Sequence, residues 1–165
     1  MSVKTQDLGE VRRTGDTVEI VFRRCYAKPV EKIWAALTVP ERISDWFAEV
    51  TIDGDRIRII FPEPHGAVEG RIVINEPMRT FAWIWPNPDG SDSLVRFDLE
   101  PDGAGCRLTL TQSGLTPKDG AGNAAGWHAH LAGLEDAAEG VKTPWATIIE
   151  REAPLNPIYK ARAPA

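Results

Sequence analysis

From residue 17 onward the chain alternates apolar and polar positions in short runs, separated by turn-forming residues. In residues 17–26, Val18, Ile20 and Phe22 alternate with Glu19 and Arg23, the pattern of a strand with one wet face. Lys28-Pro29 ends that strand and suits a first helical turn; Val30, Ile33, Trp34 and Leu37 follow at helical spacing. Pro40 interrupts this helix, because the residue before a proline avoids the helical region, and residues 40–47 form a second short helix. Strands are then predicted at 49–52, 56–61, 68–75, 80–85, 94–100 and 106–113. Asp53-Gly54, Asn87-Pro88-Asp89-Gly90 and Asp102-Gly103 supply the turns. Phe81, Trp83 and Trp85 share one face, as do Val95, Phe97 and Leu99, and Cys106, Leu108 and Leu110. Sequential strands joined by tight turns give an antiparallel meander of about seven strands.

A glycine-rich loop leads from the sheet to one long helix over residues 123–139, with Trp127, Leu131, Leu134 and Ala138 as its apolar stripe and Gly140 as its cap. Residues 1–16 read as an N-terminal extension, 17–140 as the domain and 141–165 as a tail packed on it. In that tail Thr143-Pro144-Trp145 opens a short helix, and Ile148 and Ile149 face the domain. The fold class is α+β, a curved sheet around a long C-terminal helix. Such a sheet packs well at its middle and poorly at one open end. The gap expected there, lined by Trp and Phe, has the roughly 300–1,000 Å³ of a small-molecule site.

Composition narrows the choice of partner. The 165 residues are 42% hydrophobic and 26% charged, with a net charge of −5. This mildly acidic balance opposes nucleic acid and anionic membranes, both of which select clustered Lys and Arg. Residues 1–16 lack the apolar run of a secretory signal, and no stretch reaches the length of a membrane span. Cys25 and Cys106 are expected to be reduced, buried thiols in a cytoplasmic protein.

Several segments in order resemble the activator of Hsp90 ATPase homologue 1-like family, within the START-like, birch-pollen-allergen-like superfamily. They begin with Ala27-Lys28-Pro29-Val30-Glu31-Lys32-Ile33-Trp34, then Trp46-Phe47, Glu69-Gly70-Arg71 and Phe81-Ala82-Trp83. Thr109-Leu110-Thr111-Gln112-Ser113-Gly114-Leu115 and Gly126-Trp127-His128-Ala129-His130-Leu131 complete the set. The resemblance implies the helix-grip fold and an apolar cavity under the long helix. Its better-characterised superfamily members bind lipids, steroids and polyketides, and some cyclise or hydrolyse their ligands. The family name comes from a eukaryotic co-chaperone, whose Hsp90-stimulating N-terminal domain has no counterpart in this sequence.

Candidate chemistry is sparse. His128 and His130 are two apart on a helix, so they point about 200° from each other and cannot grip one ion together. They read as rim residues, one of which could donate a hydrogen bond to a polar ligand group. The glycines at 120, 122 and 126 imitate a nucleotide loop but lack the βαβ context, and read as a flexible lead into the helix. Neither cysteine has the setting of a nucleophile. Glu63 and His65 lie in a proline-rich turn that a solvated loop explains. No catalytic residue, metal or cofactor is assigned. The ligand-binding set comprises Trp46, Phe47, Trp83, Phe97 and Leu110 from the sheet side and helix pair. Trp127, His128, His130, Leu131 and Leu134 complete it from the long helix. The expected function is binding of a small hydrophobic or amphipathic molecule, with no nucleic-acid or membrane partner and with homodimerisation compatible with the sequence. The alternatives are a cyclase- or hydrolase-type enzyme using the same cavity, and a co-chaperone interaction module.

Overall fold

The computed structural model describes residues 4–164. Residues 1–3 and 165 of the two expected terminal segments lie outside the described residues. The alternating runs form β2 (Thr17–Tyr26), β3 (Glu49–Asp53), β4 (Arg56–Ile60), β5 (Ala67–Glu76), β6 (Thr80–Pro86), β7 (Asp92–Asp102) and β8 (Gly105–Leu115). With β1 (Glu10–Thr14) they make one antiparallel sheet in the order β1-β2-β8-β7-β6-β5-β4-β3. Helices α1 (Val30–Thr38) and α2 (Pro40–Trp46) carry the chain from β2 to the far edge, where β3 begins. Register shifts in β2 and β5 bend the strands around what they enclose.

The inner face carries a continuous apolar row. Phe22 pairs with Leu110, Leu110 with Phe97 and Phe97 with Phe81, a row across four strands. All four are almost wholly buried. Fully burying side chains of this size contributes about 1.5–3 kcal/mol each.

The sheet has one more strand than the sequence pattern suggests. β1 is polar along nearly its whole length and mostly exposed, so alternation gives no signal there. Its order comes from backbone pairing with β2. The expected long helix is two helices, α3 (Gly120–Leu131) and α4 (Leu134–Ala137). The break falls at Gly133, where a Cβ would collide with Thr143 Oγ1. Thr143 is the point at which the tail crosses, its N–H bonded to the Asp45 carbonyl at 2.8 Å. The helix also starts earlier than expected. Gly120 belongs to it because its missing side chain lets the first turn touch Val18, whose Cγ2 would lie 2.7 Å from a Cβ.

The tail forms α5 (Trp145–Glu152) and α6 (Leu155–Arg162). Ile148 is buried as expected, whereas Ile149 is 39% exposed. From α6, the buried Tyr159 hydroxyl accepts from the Gly9 N–H at 2.7 Å and lies 2.8 Å from His128 Nδ1. The phenol ring packs edge-on against Phe22. The first and last described segments are thus fastened to α3 through one side chain. Cys106 is buried, but Cys25 is exposed, because it falls out of phase with the inward Phe22. Among the described residues no helix is long and apolar enough to cross a membrane.

Candidate ligand site

The space under the helix is closed. α2 ends by pushing Trp46 and Phe47 inward, and Trp46 Nε1–H donates to the Ala36 carbonyl at 2.7 Å. The Phe47 ring stacks on Trp127 with centroids 4.9 Å apart and planes 10° apart. What remains among Trp46, Phe47, Trp83 and Phe97 is a void of about 10 Å³. That is at the lower limit for one water molecule.

Room exists instead at the open end, as a cleft of about 340 Å³. Three elements build it, each for a local reason. On α3, Gly122, Gly126 and His130 recur at four-residue spacing and so share a face. A Cβ added at Gly122 or Gly126 would meet nothing within 4 Å. The two glycines thereby hollow the helix face that the cleft occupies. On α5, Trp145, Ile149 and Glu152 fall at offsets of four and three and line the opposite wall. This explains the exposure of Ile149. From the sheet side come Val68, Phe61 and Trp85, the last two stacked with centroids 6.1 Å apart. A second recess of about 520 Å³ lies beside the first and shares Phe47, Phe61 and Trp145 with it. Phe61 and Trp145 are therefore the partition between the two.

A buried polar relay holds the cleft floor in place. Trp127 Nε1–H donates to Gln112 Oε1 at 2.7 Å, Gln112 Nε2 donates to Ser93 Oγ at 3.0 Å, and Ser93 Oγ donates to the Trp85 carbonyl at 2.7 Å. Every member is satisfied, so the relay fixes Trp127 without leaving an orphaned dipole. Gln112 stands outside the ligand-binding set expected from the sequence. Its signal was available: it continues the inward phase of Cys106, Leu108 and Leu110 with a polar side chain.

The two histidines diverge as the helical geometry requires. His130 Nδ1 lies 3.2 Å from the Trp46 carbonyl. A carbonyl only accepts, so the proton sits on Nδ1 and Nε2 carries the lone pair. Burial pushes the His130 pKa down to about 4, against the smaller opposing effect of its bond to Trp46, and the ring is neutral near pH 7. His128 points the other way, to Tyr159. Burial, and secondarily the charge of Arg24, lowers its pKa to about 4 as well.

Of the sequence-predicted ligand residues, the structure brings Phe47, Trp127 and His130 to the cleft. Trp46, Trp83 and Phe97 border only the small inner void, together with Phe47. Leu110, Leu131 and Leu134 are buried in the core, and His128 belongs to the Tyr159 contact. Phe61, Trp85, Trp145 and the glycine pair, absent from the prediction, line the cleft. Trp145 and Phe61 carried an aromatic signal, but their meeting depends on where the tail folds back. His65 lies in the loop expected to be solvated and packs its ring 5.6 Å from Trp145.

One bent antiparallel sheet closed over a helix, with an apolar cleft at the open end, defines a helix-grip domain of the START-like class. The chain belongs to the family described as activator of Hsp90 ATPase homolog 1-like protein, whose pattern matches residues 27–139. Among solved structures it is similar to CalU16 from Micromonospora echinospora, with 22% identity over 94% of this chain and 95% of that one and a TM-score of 0.72. Protein MLL2253 from Mesorhizobium loti is 27% identical over 76% of this chain and 99% of its own, with a TM-score of 0.66. The Aha1 dimer from Colwellia psychrerythraea is 22% identical over 73% of this chain and 96% of its own, with a TM-score of 0.62. No curated protein matches the chain.

Proposed function

We propose that this protein binds a small, largely apolar molecule in the cleft between α3, α5 and the β4–β6 side of the sheet. The observation that carries this reading is the contrast between two spaces. The interior under the helix is filled to about 10 Å³, whereas the aromatic-walled cleft beside it offers about 340 Å³. The family's ligand-binding fold supports the same reading, with the guest moved outward from the position expected from the sequence. Binding rather than catalysis is favoured because the lining is mainly aromatic and aliphatic, and among the described residues no hydrogen bond or ion pair joins any two of its polar members, His65, Asn123, His130 and Glu152.

The test uses N-phenyl-1-naphthylamine, a neutral probe that brightens in apolar surroundings. Saturable binding is expected, accompanied by quenching of tryptophan fluorescence. Trp145→Ala and Phe61→Ala each remove a wall and are expected to weaken binding about tenfold or more. Unchanged affinity in both variants would refute the location.

Self-association is a further element of the proposal, supported by the dimeric state of the Colwellia protein. Sedimentation equilibrium is expected to give twice the chain mass of 18.2 kDa, and a monomer at high concentration would refute it.

A further inference from the structure

His130 is almost wholly buried, at 6% exposure, yet one of its two ring nitrogens is unused. Nδ1 is committed to the Trp46 carbonyl. Around the ring stand Phe47 at 5.1 Å, Trp145 at 6.0 Å and Phe61 at 6.4 Å between centroids, and none of them offers a hydrogen to Nε2. Among the described residues the sealed side-chain N and O atoms without a partner are Tyr26 Oη and Arg151 Nη1. His130 Nε2 is not one of them, and His130 lines the cleft.

This arrangement has a consequence for any guest. A molecule seated at the base of the cleft removes Nε2 from water. Without a donor to replace that water, the lone pair is left unsatisfied at a cost. A guest that places a hydrogen there avoids the cost and gains a bond. The walls add a shape requirement, since stacked Phe61 and Trp85, with Trp145 packed against Phe61 at 6.1 Å between centroids, present flat ring faces and edges. Flat aromatic guests meet such surfaces in offset or edge-on contact. An aromatic hydroxyl combines both features, being planar and a stronger donor than an alkyl alcohol.

Building on the proposed cleft, we infer that its ligand is a hydroxylated planar aromatic molecule whose O–H donates to His130 Nε2. From the sequence alone a histidine is expected to act as donor. The Trp46 carbonyl reverses this, because it takes the Nδ1 hydrogen and leaves an acceptor facing the ligand. His65, Asn123 and Glu152 also line the cleft, but His65 is exposed and Asn123 and Glu152 are half-buried, whereas His130 is buried.

The experiment compares 2-naphthol with 2-methoxynaphthalene by isothermal titration calorimetry on the full chain. The two share their rings and differ in the capped hydroxyl. Naphthol is expected to bind about tenfold more tightly than the ether, the value of one well-made neutral hydrogen bond. His130→Asn retains a donor for Trp46 and removes Nε2, and is expected to bring the two affinities together. Equal affinities in the unaltered protein would overturn the inference and leave the cleft reading intact. A preference that survives in His130→Asn would overturn the role of Nε2. Binding of neither compound would overturn both the inference and the cleft. If the variant fails to fold, ¹⁵N spectra of the unaltered protein decide. The Nε2 resonance is expected to move with naphthol and to stay with the ether, and no movement at naphthol saturation would overturn the inference.

Discussion

Replacing Gly122 and Gly126 tests whether the hollow face of α3 is there for a guest or for the fold. In a helix, glycine is less stable than alanine by about 0.8–1 kcal/mol, because it loses more backbone freedom on folding. The full difference applies at Gly126, in mid-helix, and a smaller one at Gly122, in the first turn. Both backbones are ordinary right-handed helix, and an added Cβ would meet no atom within 4 Å. The paired variant Gly122→Ala/Gly126→Ala is therefore expected to gain about 1–2 kcal/mol. For a domain of this size that raises the Tm by roughly 3–6 °C. The paired leucine variant keeps a good helix former but projects two branched side chains into the cleft of about 340 Å³. It is expected to fold and to lose binding of N-phenyl-1-naphthylamine by more than tenfold. Stability is read by thermal and urea denaturation, and binding by fluorescence titration. A fall in stability for the alanine pair would mean that the glycines serve packing. Unaltered probe affinity in the leucine pair would mean that the guest lies elsewhere.

Two further expectations concern His130 and the partner of His128. Above pH 6.5 the His130 ring is neutral in the folded and the unfolded chain. As pH falls below 6.5 the unfolded chain takes up a proton that the folded protein refuses until about pH 4, so stability declines across that window, by about 3 kcal/mol for a shift of this size. His130→Asn is expected to remove about half of the slope between pH 6.5 and 4.5, the rest coming from His128, whose pKa is lowered to about 4 as well, and an unchanged slope would contradict the burial argument. Tyr159→Phe removes the hydroxyl that joins the Gly9 N–H to His128, leaving buried groups unpaired. It is expected to cost about 1–3 kcal/mol in urea denaturation, and a change within about 0.5 kcal/mol would show the link to be dispensable.

The fold was legible in the sequence because most of its strands have one wet face. Period-two alternation fixes the phase of Phe22, Phe97 and Leu110 without knowledge of their neighbours. β1 escaped because a mostly exposed edge strand alternates nothing; its order is borrowed from the backbone of β2. The break in the long helix escaped because its cause is Thr143, which crosses Gly133 only after the tail has folded back. The site divides in the same way. Phe47, Trp127 and His130 could be expected from phase and residue type. Leu131 and Leu134 share the stripe with Trp127, but a stripe says only which way a residue points, and both are buried in the core away from the cleft. The glycine pair reads on paper as looseness, and only the open space beside it shows that it shapes a cavity. His130 needed its carbonyl partner before its free nitrogen, and so its hydrogen-bonding sense, could be known.

The location of the guest is tested most directly by ¹⁵N chemical-shift mapping during titration with 2-naphthol. The account predicts the largest movements at the Gly122 and Gly126 amides and at the Trp85 and Trp145 indoles. Movement confined to Leu110, Leu131 and Leu134, with those four sites still, would place the guest beneath the helix and contradict it.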